Sequence, residues 1–388
     1  MPQMSIVAHH ALSPEALLLV RAASGPGADD PAASGIDGAR LLALAERHRM
    51  IPLLHRHLRG SGLPEPFAAG MRARHAAEVH RALRLAGEAR RLLDALSAAG
   101  IEALVYKGPA LAVRAYGDLS LRSFTDLDLL VRPADIPRST QILADAGYAP
   151  ALEMTPAQER WFRRVDGDYP LLHRETGTLV ELHARVSSLR FAMPIDTDAL
   201  IRRSQAVPVG GGEARTLGDD DLLLVLLVHG AKHRWKRLEW LAAVAALLRA
   251  GRGDVATVRA RAVELRARRT VLLGLHLAHA LLAVPLSADV AHEIAADGGI
   301  AALAAEAADR LFGPEPGDDA AGTRANLRFN LRLRDGAADR VRSAARWLFG
   351  PGPEDWKWRP LPDALFPLYR VLRPLRLLAR HGRVEGDG

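Results

Sequence analysis

VYKGPALAVRAYGDLSLRSFTDLDLLV, residues 105–131, holds the one arrangement in this chain that chemistry asks for and packing does not. Asp126 and Asp128 interrupt a run that is otherwise apolar, Leu127, Leu129, Leu130 and Val131, and the run predicts a short buried strand. Side chains two apart on a strand share a face, so the two carboxylates project side by side. Neighbouring anions beside an apolar strand repel and are costly to desolvate unless a cation sits between them, and a hard divalent ion such as Mg²⁺ (or Mn²⁺) suits them. Asp-x-Asp alone would favour a turn cap at Asp126 and a solvated strand end at Asp128.

The flanking residues bear on that choice. Upstream, residues 101–106 form a second apolar strand that runs into Lys107-Gly108-Pro109 and then a helix-like segment through Tyr116. Such a strand-to-helix turn can present backbone N–H groups and an ammonium to phosphates. Downstream, residues 179–183 alternate and put Glu181 and His183 on one face, so a third carboxylate from a third strand would complete a metal site. Only four of the 52 basic residues are Lys, namely Lys107, Lys232, Lys236 and Lys357. Lys107 is the one whose place suits a compact ammonium on a phosphate oxygen.

A Lys-Gly turn at Lys107-Gly108 is followed by Tyr116, Arg122, Asp126-Leu127-Asp128 running on through Val131, Asp135, Gly147-Tyr148 and Glu181-Leu182-His183. In that order and spacing the chain resembles the uncharacterised nucleotidyltransferase family of bacteria, a branch of the polymerase-β-like nucleotidyltransferase superfamily. The resemblance extends to His229, His233, Trp235 and Trp240, and weakly to Asp355-Trp356 and Arg373-Pro374-Leu375-Arg376. It implies that Asp126, Asp128 and Glu181 hold Mg²⁺, and that an NTP is the substrate. It further implies that Lys107, Gly108 and Arg122 meet the triphosphate. Where the wider superfamily has Gly-Ser, this chain has Lys107-Gly108.

With 388 residues the chain can bury a sizeable core, and 49% hydrophobic with 25% charged residues is globular composition. No apolar run reaches the roughly 18 to 20 residues that span a bilayer. The first residues carry no basic charge ahead of their short apolar stretch, so they do not read as a secretory signal, and a cytoplasmic location is expected. Zero cysteines exclude a thiol nucleophile, a disulfide framework and Cys-ligated zinc. The formal charge of +7 favours anionic partners such as nucleotides or RNA.

Three regions are expected: an N-terminal helical region over 1–98, a nucleotidyltransferase-like core over 99–215, and a C-terminal helical domain over 216–388. The fold class is α+β, a small mixed sheet flanked by helices. Residues 64–99 predict a long helix bracing the sheet, and Gly177 predicts a hairpin between strands near 169–173 and 179–186. Residues 207–212 read as a turn or short edge strand. Asp219-Asp220-Asp221 would open a helix, with His229, Lys232 and His233 on one face and Trp235 beside them. That face could form a wall for a nucleotide or for the acceptor, or be a partly buried polar helix face. His9-His10 read as surface residues, residues 313–322 as a loop, and the Arg-rich segments after 324 and 370 as surfaces able to meet RNA backbone.

Nucleotidyl transfer to an unidentified hydroxyl acceptor is therefore the function expected. The competing expectation is a nucleotidyltransferase-like fold acting as a binding or antitoxin-like module without turnover.

Overall fold

A computed structural model describes residues 12–25, 35–60, 64–191, 193–313 and 320–382. His9-His10, residues 314–319 of the expected loop and Arg383 lie outside these. The architecture is α+β, with five strands in one small mixed sheet: β1 (Leu104–Val105), β2 (Asp126–Leu130), β3 (Tyr148–Pro150), β4 (Asp168–His173) and β5 (Leu179–His183). Their spatial order is β1-β2-β5-β4-β3. β2 and β5 run parallel and every other pairing is antiparallel. This explains why β2 is so apolar, since a strand in the middle of a sheet covered by helices is buried on both faces. β1 is shorter than the 101–106 expected from its apolar run: only Leu104 and Val105 pair, with Leu130 and Leu129, before the chain turns into the helix Gly108–Tyr116.

Gly177, at φ +63°, makes the turn between β4 and β5. A second hairpin, β6 (Gln205–Val209) and β7 (Gly212–Thr216), replaces the single edge strand expected near 207–212. Its tip needs glycine twice over, because Gly210 has φ +61° and a Cβ there would stand 2.4 Å from the carbonyl oxygen of Ala86.

Ala86 belongs to the helix Glu65–Ala98, which buries Ala82, Leu85, Ala86, Ala89, Leu92, Leu93 and Leu96, one stripe at helical spacing. That stripe packs with Val105, Leu127, Leu129, Val180 and Leu182 of the sheet, the bracing position expected. A second core gathers the helices Pro14–Ser24, Gly38–Arg47 and Ile51–His57 with Asp219–Lys232, Leu238–Arg249 and Arg268–Leu282. Both cores therefore cross the boundaries at 98 and 215 that local pattern suggests. Asp219 opens its helix as expected, but Asp221 is buried and bonded by Arg203 and Arg261.

The last helices, Ala320–Arg332, Ala337–Phe349, Pro353–Trp358 and Tyr369–Gly382, return to the sheet. Trp356 and Tyr369 join its core, and the Trp161 indole N–H donates to the Pro351 carbonyl. Buried Asp355 receives both Arg373 and Arg376, so these two members of the basic C-terminal segment are committed inside the fold.

Candidate active site

Parallel pairing of β2 with β5 sets Asp128 directly opposite Glu181 and Leu130 opposite His183. β4, antiparallel to β5, sets Asp168 opposite His183. Three strands thus deliver four polar side chains to one place. Asp128, Glu181 and His183 each offer a ligand atom, all within 4.8 Å of one another. His183 Nε2 lies 3.0 Å from Asp128 Oδ1 and 3.4 Å from Glu181 Oε2, while its Nδ1 lies 3.5 Å from Asp168 Oδ1. Of the trio the sequence suggests, Asp128 and Glu181 are in this compact set with His183, and Asp126, two residues before Asp128 on β2, lies close enough for both carboxylates to act on it.

Electrostatics follow from that crowding. Burial would lower the proton affinity of His183, but hydrogen bonds to Asp128, Asp168 and Glu181 outweigh it and lift its pKa well above the ordinary value. His183 is therefore an imidazolium at neutral pH. Burial would raise the pKa of Asp128, yet Lys107 and His183 hold it below the usual carboxylate range. Asp126 goes the other way, raised by burial and then by Asp128 and Glu181. The donor set of two carboxylates and an imidazole fits a divalent ion once His183 gives up its proton and a ligand oxygen of Asp128 is free.

Lys107 closes the helix-entry turn, and its Nζ lies 2.5 Å from Asp128 Oδ1. The chain itself supplies the cation that its paired carboxylates demand: without a ligand, the Lys107 ammonium rests on the buried Asp128 carboxylate. Gly108, at φ +50°, supplies the left-handed backbone of that turn. Arg122 is buried with Glu239 3.6 Å away, and its Nε and Nη1 have no hydrogen-bond partner.

The profile of the uncharacterised nucleotidyltransferase family matches residues 34–283, which contain every side chain just described. The chain belongs to this family. Comparison with curated proteins and with solved structures returned no match. Among the described residues no helix is long and apolar enough to cross a membrane.

In this nucleotidyltransferase-family chain the helix Asp219–Lys232 ends one residue before His233, and Arg234 and Trp235 turn into left-handed backbone. The turn swings the Trp235 indole back onto Gly230 and Gly274, where a Cβ on either glycine would collide with the ring. Trp235 is fully buried and cannot wall a ligand site, because helical phase does not carry past the helix end. Trp240 takes the aromatic position instead, edge-on to His229 at 5.0 Å and 5.4 Å from His233. Two charged members of the site went unnoticed in the sequence, Asp168 and Glu239. Glu239 had a usable signal, an acid in an otherwise apolar helix, the same signal that marks Asp126 and Asp128.

Burial pushes His233 down to about 3, with Lys232 and Lys236 adding to the effect. Burial, then Arg47, pushes His48 down to about 4, and His229 falls well below its ordinary value through burial and Lys107. Below about pH 6.5 the unfolded chain binds protons that these folded imidazoles refuse, so stability falls as pH drops from about 6.5 towards 4. His183 has the opposite sign: its contribution is complete below about pH 6.5 and is lost as pH rises through its raised value. Thermal unfolding of the ligand-free protein should therefore show a stability maximum near neutrality, with an acid arm that His233→Asn makes shallower. An acid arm unchanged in that variant would show that His233 does not resist protonation in the fold.

Proposed function

We propose that the protein moves a nucleotidyl group from an NTP to a hydroxyl acceptor in a reaction that depends on a divalent ion, Mg²⁺ or Mn²⁺. The observation that carries this reading is the cross-strand pairing of Asp128 with Glu181, His183 alongside, in a chain of a nucleotidyltransferase family. Asp128, Glu181 and the neutral form of His183 would hold the ion. When bound, it would polarise phosphate oxygens and acidify the acceptor hydroxyl. Asp126, whose proton affinity is raised, is suited to take the hydroxyl proton. The acceptor oxygen bonds to the α-phosphorus while the bond from that phosphorus to the pyrophosphate oxygen breaks. Lys107, once released by Asp128, and the Gly108 N–H at its helix start would meet phosphate oxygens.

One observation favours the second reading, a catalytically silent module: the Lys107 ammonium on Asp128 already satisfies the carboxylate that a metal would need. The experiment that separates them incubates the protein with each α-³²P-labelled NTP and a cell extract, then fractionates protein, peptide, small molecules and RNA. Transfer predicts label in one fraction, abolished by a chelator and restored by Mg²⁺ or Mn²⁺. NTP binding by calorimetry without label in any fraction would leave the silent module as the account.

A further inference from the structure

Beside the carboxylate cluster lies a cavity of about 600 Å³. Its near wall includes Asp168, Lys232 and His233, so it shares Asp168 with the cluster. Its far wall is built from the C-terminal helices, beyond the residues that the family profile matches.

Arg334, which follows the helix Ala320–Arg332, lines this cavity and is 2% exposed. Its Nε has no hydrogen-bond partner, and among the described residues none of its guanidinium nitrogens meets a carboxylate. The guanidinium lies 4.4 Å from the centre of the Phe191 ring, which also lines the cavity. Burial lowers its pKa to about 10, which still leaves it charged at neutral pH. Asp335 and Asp339 act on this charge only from a distance and are bonded to other groups, so an anion from outside the chain could meet the guanidinium directly. A second group is also incomplete: Asn330 donates to Asn326, and its own Oδ1, an acceptor buried without a partner, calls for a donor such as a ligand hydroxyl.

Charge and size narrow the ligand. Arg373 and Arg376, also in the lining, are both bonded to Asp355, and Lys232 acts on Asp168. Together with Asp355, the lining carboxylates Asp166, Asp168 and Glu354 leave the wall as a whole without net positive charge. A triphosphate would bring excess negative charge to such a wall, whereas one anionic group matches the one uncommitted guanidinium. The volume suits a small molecule, and Trp347 offers its body an aromatic surface.

We propose that this chamber is the acceptor site, and that the acceptor is a small molecule whose single carboxylate or phosphate group is held by Arg334 and whose hydroxyl reaches past Asp168 towards Asp126 and Asp128. The acceptor role rests on the nucleotidyl-transfer reading; anion capture by Arg334 does not.

The test is calorimetry on the full chain with benzoate, phenyl phosphate and, as neutral isostere, benzyl alcohol. At least one anionic probe should bind about tenfold or more tightly than benzyl alcohol, and the two anions tell carboxylate from phosphate. Arg334→Met should reduce that probe to the level of benzyl alcohol while NTP affinity is retained. Asn330→Asp, which adds a carboxylate to the same chamber, should also abolish probe binding, and it serves if Arg334→Met does not fold. Failure of both anionic probes in the wild type, or unchanged binding in a folded variant, overturns the proposal. So does a parallel loss of NTP affinity in Arg334→Met, which would make the chamber a triphosphate site. If the wild type binds a probe through Arg334 but no NTP, the transfer reading and the acceptor role fall together and the anion site stands.

Discussion

Asp128→Asn is expected to destabilise the ligand-free protein by about 3 to 5 kcal/mol, and to remove transfer activity as well. Two adjacent carboxylates on β2, considered without their neighbours, would predict the reverse sign for stability, because neutralising one relieves repulsion. The structure reverses it. Lys107 Nζ and His183 Nε2 both converge on Asp128 Oδ1, at 2.5 and 3.0 Å, in a site where Asp128 is 3% exposed. An amide in that place leaves an ammonium and an imidazolium facing a neutral oxygen with little water to help either. Urea unfolding of the ligand-free variant gives the first quantity and label transfer the second. A variant as stable as the wild type would mean that Lys107 and His183 find other partners, and that Asp128 is not the hub of the site.

That reversal shows where legibility ends. Alternation and apolar runs made β2, β4, β5 and the long helix Glu65–Ala98 readable, because each element is set by its own local pattern. The face shared by Glu181 and His183 was readable for the same reason. The register between β2 and β5 was not. It depends on the connection running through β3 and β4, and it decides that Glu181 stands directly opposite Asp128, with His183 one pair further along. Lys107 was recognised as special, but its partner lies 21 residues away in sequence on a different element. Helical periodicity misplaces Trp235, because the helix stops at Lys232 and Arg234 and Trp235 have positive φ. Arg334 looked like one more Arg in a basic run; only the packing of the C-terminal helices against the cavity sets it apart.

Glu181→Gln is expected to reduce transfer by several orders of magnitude while changing stability by less than about 1 kcal/mol. Its side chain is 34% exposed, and among the described residues its one ion pair is with His183 at 3.4 Å. Removing that charge leaves His183 with Asp128 and Asp168, so no buried cation loses its last partner. A metal-dependent reaction, by contrast, would lose an anionic ligand from the set of three. An inactive Asp128 variant cannot by itself separate chemistry from folding, since both readings make that carboxylate indispensable. Glu181 can separate them, because a silent module has little use for a half-exposed carboxylate opposite Asp128 and a transferase depends on it. Full activity in a folded Glu181→Gln protein would remove the metal from the mechanism. Loss of activity at unchanged unfolding midpoint, together with weaker Mg²⁺ or Mn²⁺ binding by calorimetry, would assign Glu181 to the ion and leave Lys107, His183 and Asp128 as the charge balance that keeps the site folded until the ion arrives.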